Sequence, residues 1–157
     1  MKYYWLYKYP VGLVGIAEED GRIAYVFFAD KNDKGVPENF DELETPLIRK
    51  AAGQLGEYFA GVRKEFDLPL EFKGTVFQKR VWAALMEIPY GETRSYGEIA
   101  GKCGNPKATR AVGMANNRNP IVIICPCHRV IGKDGSLTGY GGGLDNKEYL
   151  LKLECKK

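Results

Sequence analysis

The sequence predicts an α+β protein in two parts. A small N-terminal domain of antiparallel strands with a helix spans residues 1–72, and a mostly helical, winged-helix-like domain with a helix-turn-helix spans residues 73–157. Three observations carry this expectation. The first thirty residues are aromatic and β-branched runs broken by turn residues, later segments place apolar residues at helical spacing behind capping residues, and the charge divides between the halves. Residues 1–72 hold nine Lys/Arg against thirteen Asp/Glu, and residues 73–157 hold fourteen against seven.

Strands are expected over Lys2–Tyr9, Val11–Ala17 and Arg22–Ala29, separated by Pro10 and by Asp20-Gly21. The polar stretch from Lys31 to Glu44, with Gly35 and Pro37, predicts a loop. Thr45 as N-cap, Pro46 at the first helical position, apolar residues from Leu47 to Phe59 at helical spacing and Gly61 beyond predict the next helix. Composition changes around Asp67 to Gly74, which sets the domain boundary. Thr75 with Gln78 forms a capping-box pattern ahead of a helix over 76–87, and Ser95 with Glu98 forms another ahead of a short helix ending near Lys102. Gly104 breaks the chain, and Asn105-Pro106 is expected to start a helix running to about Asn117.

That last helix is short of side-chain bulk. Ala108, Ala111 and Ala115 share a face with Gly113 close by, Arg110 projects near it, and no acidic residue lies between Pro106 and Pro120. Such a stripe packs against a neighbouring helix or lies close against a nucleic-acid groove. Lys107, Arg110 and Arg118 favour the second use, as does the basic balance of the whole half.

At 157 residues with 45% apolar and 27% charged residues, the chain is neither disordered nor fibrous and needs no disulfide or metal to fold. No apolar run is long enough to span a bilayer, and Met1–Pro10 does not read as a secretory signal, so a cytoplasmic location is expected. Four cysteines (Cys103, Cys125, Cys127, Cys155) and the single histidine, His128, all fall in the basic half. Cys125-x-Cys127 lacks a second ligand pair, so no metal site is expected. The apolar run Ile121–Ile124 predicts a strand that delivers Cys127 next to His128. A thiol becomes nucleophilic as thiolate, which a nearby His or Arg favours. Adjacent side chains cannot readily bond to each other, so His128 would act on Cys127 through a water.

Pro126-Cys127-His128-Arg129-Val130 resembles the active-site signature of the O6-alkylguanine-DNA alkyltransferase family. The resemblance extends in order through Gly74-Thr75-x-Phe77-Gln78, Val81-Trp82, Ile88-Pro89-Tyr90-Gly91-Glu92-Thr93 and Ser95-Tyr96-Gly97. It continues through Arg110-Ala111-Val112-Gly113, Ala115-Asn116, Asn119-Pro120 and Gly139-Tyr140-x-Gly142-Gly143, covering residues 73–157, while residues 1–72 match in length and strand-then-helix character.

The resemblance implies direct, irreversible repair of O6-alkylguanine, and of O4-alkylthymine, in double-stranded DNA. Cys127 would take the alkyl group as a thioether, one lesion per molecule, without a cofactor. His128 would be the base acting through water, Glu154 would orient it, Asn119 would hold the cysteine turn, and Tyr96 would donate to the departing guanine. Val130, Tyr140, Gly141 and Lys147 would line the base pocket, with the carbonyls of Cys127 and Val130 accepting from the guanine amine. Arg110 would replace the extruded base in the stack, and Ala108, Thr109, Ala111, Gly113 and Ala115 would lie in the minor groove. Many relatives have Ser at the position of Gly141, and the usual glycine after Glu154 is Cys155 here. The implied protein is a monomer with no obligatory protein partner and no membrane association. Two other readings remain: a lesion-binding module without acceptor chemistry, and a winged-helix regulator using Cys125 and Cys127 as a redox pair.

Overall fold

The computed structural model describes residues 1–29, 35–137 and 140–155, which form two compact units, Met1–Phe72 and Lys73–Lys157. The Lys31 end of the expected loop, and Gly139 of the glycine-rich motif, lie outside the described residues. Among the described residues, no helix is long and apolar enough to cross a membrane.

The first unit contains β1 (Lys2–Tyr9), β2 (Gly12–Glu19), β3 (Arg22–Phe28), β4 (Asp41–Glu42) and α1 (Pro46–Phe59). The sheet order is β3-β2-β1-β4, with β1/β2 and β2/β3 antiparallel. The expected loop contains one feature that composition did not show: β4 pairs parallel to β1, Tyr3 opposite Asp41 and Tyr4 opposite Glu42. Two acidic residues have little strand propensity, and it is the edge of β1 that recruits them. Helix α1 packs on the sheet, and Val14, Ile16, Ile23 and Val26 are buried together with Ile48, Ala51, Leu55 and Tyr58. Its N-terminus is capped as the sequence predicts, the Ile48 N–H donating to Thr45 Oγ1.

The second unit contains α2 (Val76–Met86), β5 (Arg94–Ser95), α3 (Tyr96–Lys102), α4 (Thr109–Asn117), a 3-10 turn at Cys127–Arg129, β6 (Val130–Ile131) and α5 (Leu144–Cys155). Both expected capping boxes are formed, at Thr75/Gln78 and at Ser95/Glu98. Helix α3 ends in a Schellman arrangement: Asn105 N–H donates to the Ala100 carbonyl and Gly104 N–H to that of Gly101. Gly104 sits at φ +85°, a conformation open to glycine without cost. Helices α3, α4 and α2 pack on one another, and α3 with α4 makes the helix-turn-helix.

Two expectations are corrected here. Helix α4 begins at Thr109 rather than at Asn105-Pro106. Asn105 instead closes a local turn, its Oδ1 accepting from Lys107 N–H and its carbonyl from Ala108 N–H. The run Ile121–Ile124 is a buried coil of tight turns and not a strand. Ile124 N–H donates to Val122, Cys125 N–H to Ile121 and Cys127 N–H to the Cys125 carbonyl, and Ile123 is held at φ +70°. β-branched residues rarely adopt that backbone conformation; here burial of Ile121, Ile123 and Ile124 offsets the strain.

Candidate active site

The site is built on that coil. Asn119 spans it, Nδ2 donating to the Cys125 carbonyl at 2.8 Å and Oδ1 accepting from Ile121 N–H at 3.0 Å. The chain then enters the 3-10 turn that carries Cys127, His128 and Arg129, all buried. Asn116, on α4, donates from Nδ2 to the Cys127 carbonyl at 3.2 Å and so ties the helix-turn-helix to the cysteine turn. On the other side Cys125 Sγ lies 3.6 Å from the Trp82 carbonyl, and Trp82 Nε1 donates to the Ala115 carbonyl at 2.9 Å.

Helix α5 brings Glu154 and Lys147 to the turn, both buried. Glu154 Oε2 accepts from His128 Nε2 at 2.7 Å, which leaves Nδ1 as the ring nitrogen without a partner among the described residues. Arg129 grips the same carboxylate, Nε to Oε1 at 2.7 Å and Nη2 to Oε2 at 3.0 Å, while its Nη1 donates to the Ile88 carbonyl at 2.6 Å. Lys147 Nζ donates to the Val130 carbonyl and stands 6.0 Å from the ring centres of both Tyr96 and Tyr140.

The electrostatics follow from burial and these partners. Burial pushes the Cys127 thiol above its ordinary value, and the polar side chains of Asn119 and Tyr140 with the Lys147 charge pull it back. Cys125 is pushed well up, by burial first and the neighbouring Cys127 second. Burial holds His128 below its usual value, opposed by its bond to Glu154 and assisted by the charges of Arg129 and Lys147. Burial works against the Glu154 anion, but the hydrogen bonds and charges of His128 and Arg129 outweigh it and hold its carboxyl at about 2. Burial thus favours the uncharged imidazole beside an anchored carboxylate, one residue along the chain from a buried thiol.

The bonds above join His128 to Glu154, Lys147 to Val130, and Asn119 to Cys125 two residues before Cys127, with Tyr96 and Tyr140 at the lysine. Gly141 is exposed, and a Cβ added there would lie 3.4 Å from the Asn117 carbonyl, an ordinary contact distance that leaves room for a small side chain. The Cys127 carbonyl already takes Asn116 Nδ2 and the Val130 N–H, so both of its lone pairs are engaged. The Val130 carbonyl accepts from Lys147 Nζ.

The small-residue face of α4 is also corrected. Thr109, Arg110 and Ala111 are exposed and Ala108 is half-buried, but Ala115 is only 2% exposed and belongs to the core under Trp82. Gly113 turns toward the catalytic side, where a Cβ would meet the Tyr96 ring at 3.9 Å. Met114, 58% exposed and one turn beyond Arg110, takes a place on the outward face that the alanine pattern did not suggest. Sequence reasoning also left Arg129 and Asn116 without roles. Both stand inside motifs quoted above, Arg129 in the Pro126–Val130 signature and Asn116 in Ala115-Asn116, so their signal was position.

A helix-turn-helix unit that holds a buried cysteine beside a buried histidine–carboxylate pair defines a DNA-binding class of protein. Residues 76–156 match the DNA binding domain of 6-O-methylguanine DNA methyltransferase and residues 2–72 match the ribonuclease-like domain of the same family. The chain belongs to the 6-O-methylguanine DNA methyltransferase family. It is 57% identical over 153 residues to the methylated-DNA–protein-cysteine methyltransferase of Methanosarcina acetivorans, covering 97% of each chain. It is 51% identical to the constitutive one of Bacillus subtilis, covering 98% of this chain and 96% of that one. Among solved structures it resembles Mycobacterium tuberculosis OGT in complex with DNA, with a TM-score of 0.90, 47% identity and coverage of 98% and 92%. The M. tuberculosis O6-methylguanine methyltransferase gives a TM-score of 0.87 at 45% identity, with coverage of 99% and 93%.

Proposed function

We propose that this chain repairs DNA by moving the alkyl group of O6-alkylguanine, and of O4-alkylthymine, onto its own Cys127 in a single turnover. The observation that carries the reading is the Glu154–His128 pair, 2.7 Å apart and buried, with His128 on the same 3-10 turn as Cys127 and its Nδ1 left to accept. The thiol proton passes through a water to Nδ1. Cys127 Sγ then bonds to the alkyl carbon as the bond from that carbon to O6 breaks, its electron pair leaving with guanine, which is protonated with the Tyr96 hydroxyl as donor. Lys147 supplies positive charge to the thiolate, Asn119 holds the turn, and Val130, Tyr140 and Gly141 bound the base. No cofactor enters this balance, and the thioether has no simple exchange that restores the thiol.

The lesion must leave the stack to reach a buried thiol, at a cost of a few kcal/mol. Arg110 fills the vacated place, and Thr109, Ala111 and the half-buried Ala108 follow the minor groove. Gly113 serves from the inner side, against Tyr96. The protein works as a monomer on duplex DNA in the cytoplasm, with no obligatory protein partner. Residues 1–72 serve as scaffold and residues 73–157 bind DNA and accept the alkyl group.

The test is intact and peptide mass spectrometry after mixing with a duplex holding one O6-methylguanine. One added methylene on Cys127, never exceeding one per chain, is expected. Binding without a mass gain would make the chain a lesion-binding module, and repeated turnover would refute the single-use step. A redox role for Cys125 and Cys127 is disfavoured by the Cys125 thiol facing the Trp82 carbonyl.

A further inference from the structure

We propose that Arg129 is a positioning residue: by taking up the charge of Glu154, it keeps His128 in the neutral form that can accept the Cys127 proton. The inference rests on the acceptor reading above and names a part of the machinery that reading leaves undefined.

The geometry makes one carboxylate serve two partners. Arg129 binds it through a two-pronged fork, Nε to Oε1 and Nη2 to Oε2, while His128 Nε2 shares Oε2. The third arm of the guanidinium is fixed on the Ile88 carbonyl at 2.6 Å, and its face lies 5.7 Å from the Tyr90 ring centre. All three side chains are buried, so a full positive charge must stand against the carboxylate. A guanidinium supplies one at every accessible pH. An imidazole supplies one only by carrying protons on both nitrogens, and Nδ1 would then be a donor with nothing to offer the thiol.

The charged groups acting on His128 are Glu154 and Lys147 from α5 and Arg129 from its own turn, and the Ile88 carbonyl just beyond α2 holds Arg129. Glu154 is the member that draws a proton onto the ring; Arg129 and Lys147 oppose it, in addition to burial. Lys147 is committed to the Val130 carbonyl, whereas Arg129 contacts the very oxygens that His128 faces. Without Arg129 the buried anion regains its full pull, and the ring becomes the counter-ion instead of the base.

His128 is the only histidine in the sequence, so its ring can be followed alone by nitrogen NMR in the intact protein. In the unaltered protein the ring is expected to be neutral at pH 7, protonated at Nε2 and bare at Nδ1; an imidazolium there overturns the proposal without any variant. In Arg129→Gln the ring titration is expected to rise by at least about one pH unit, with the acid limb of methyl transfer moving by the same amount. Transfer then falls about tenfold for each pH unit below the raised titration and recovers above it. Arg129→Lys, which restores a charge without the fork, returns the titration most of the way. A folded Arg129→Gln protein with an unmoved titration, or with a rate loss equal at all pH values, would reduce Arg129 to a structural brace. The ring spectrum is read whether or not Cys127 gains a methyl group. Failure of methylation in the unaltered protein therefore counts against the acceptor reading, and an unmoved titration counts against this one.

Discussion

Asn119 closes the coil ahead of Cys127, its Nδ2 donating to the Cys125 carbonyl while its Oδ1 takes the Ile121 N–H. One amide thus stands in for the ladder that a strand would have provided. The backbone it holds includes Ile123 in the left-handed region, a conformation that relaxes once the clamp is lost.

Asn119→Ala is accordingly expected to leave two buried backbone groups unpaired and to cost about 2–4 kcal/mol of stability. The Cys127 turn loosens with it, so methyl transfer slows by more than the loss of folded protein. Urea unfolding alongside single-turnover transfer rates checks this, and transfer that tracks only the folded fraction would show that the clamp has no part in presenting the thiol.

The four thiols are expected to differ in reactivity by position. Cys155 is exposed and Cys103 partly so, whereas Cys125 and Cys127 are buried with their thiols pushed up by that burial. A small haloacetamide should label Cys155 first and the buried pair last, while a lesion-bearing duplex should alkylate Cys127 alone. Peptide mapping after each treatment reads the order; fast haloacetamide labelling of Cys127 would contradict the burial that confines it to its substrate.

Acid is expected to weaken the fold through the same relay. The folded-state value of His128 is depressed by burial, so below its ordinary 6.5 the unfolded chain binds the proton first and stability begins to fall. Glu154 is held at about 2 against an ordinary 4.5, so its contribution is present above 4.5 and is lost as pH drops toward 2. That second loss is on the order of 3 kcal/mol. Urea midpoints from pH 7.5 downward should fall throughout, and Glu154→Gln should flatten the lower part of the curve. An unchanged slope in that variant would place the acid sensitivity elsewhere.

The two faces of α4 separate by substitution. Ala115→Leu forces bulk under Trp82 and should cost about 1–3 kcal/mol. Ala111→Leu, on the exposed face beside Arg110, should leave stability within about 0.5 kcal/mol yet weaken duplex binding at fixed salt. Melting curves and fluorescence-anisotropy titrations distinguish them, and an Ala111→Leu protein binding duplex as tightly as the parent would remove that face from the interface.

Gly74 makes a sharper packing test. A Cβ there would stand 2.6 Å from the Trp82 ring and 2.7 Å from Gln78 Oε1, so Gly74→Ala should displace the ring that anchors Ala115 and disturb the α2 capping box. A loss of about 1–3 kcal/mol in urea unfolding is expected. A neutral result would mean that the ring can shift without releasing α4.

The sequence alone determined what local chemistry governs. The first three strands, within a residue or two, and the Thr45 cap and the Thr75/Gln78 and Ser95/Glu98 boxes stand where residue spacing predicted them, because each depends on groups within a few positions of one another. Cys127, His128 and Glu154 were legible as a set through the signature and its order along the chain. Tertiary structure decided the rest. Ile121–Ile124 has the propensity of a strand, but it is enclosed by its own unit and satisfies its backbone through Asn119 and tight turns. Ala115 faces inward because Trp82 needs its carbonyl, and β4 forms because β1 has an open edge. Arg129 meets Glu154 across 25 residues of sequence, and a contact at that separation leaves no periodic trace. Burial, and the requirement that every buried polar group find a partner, selects such contacts only after the chain has packed.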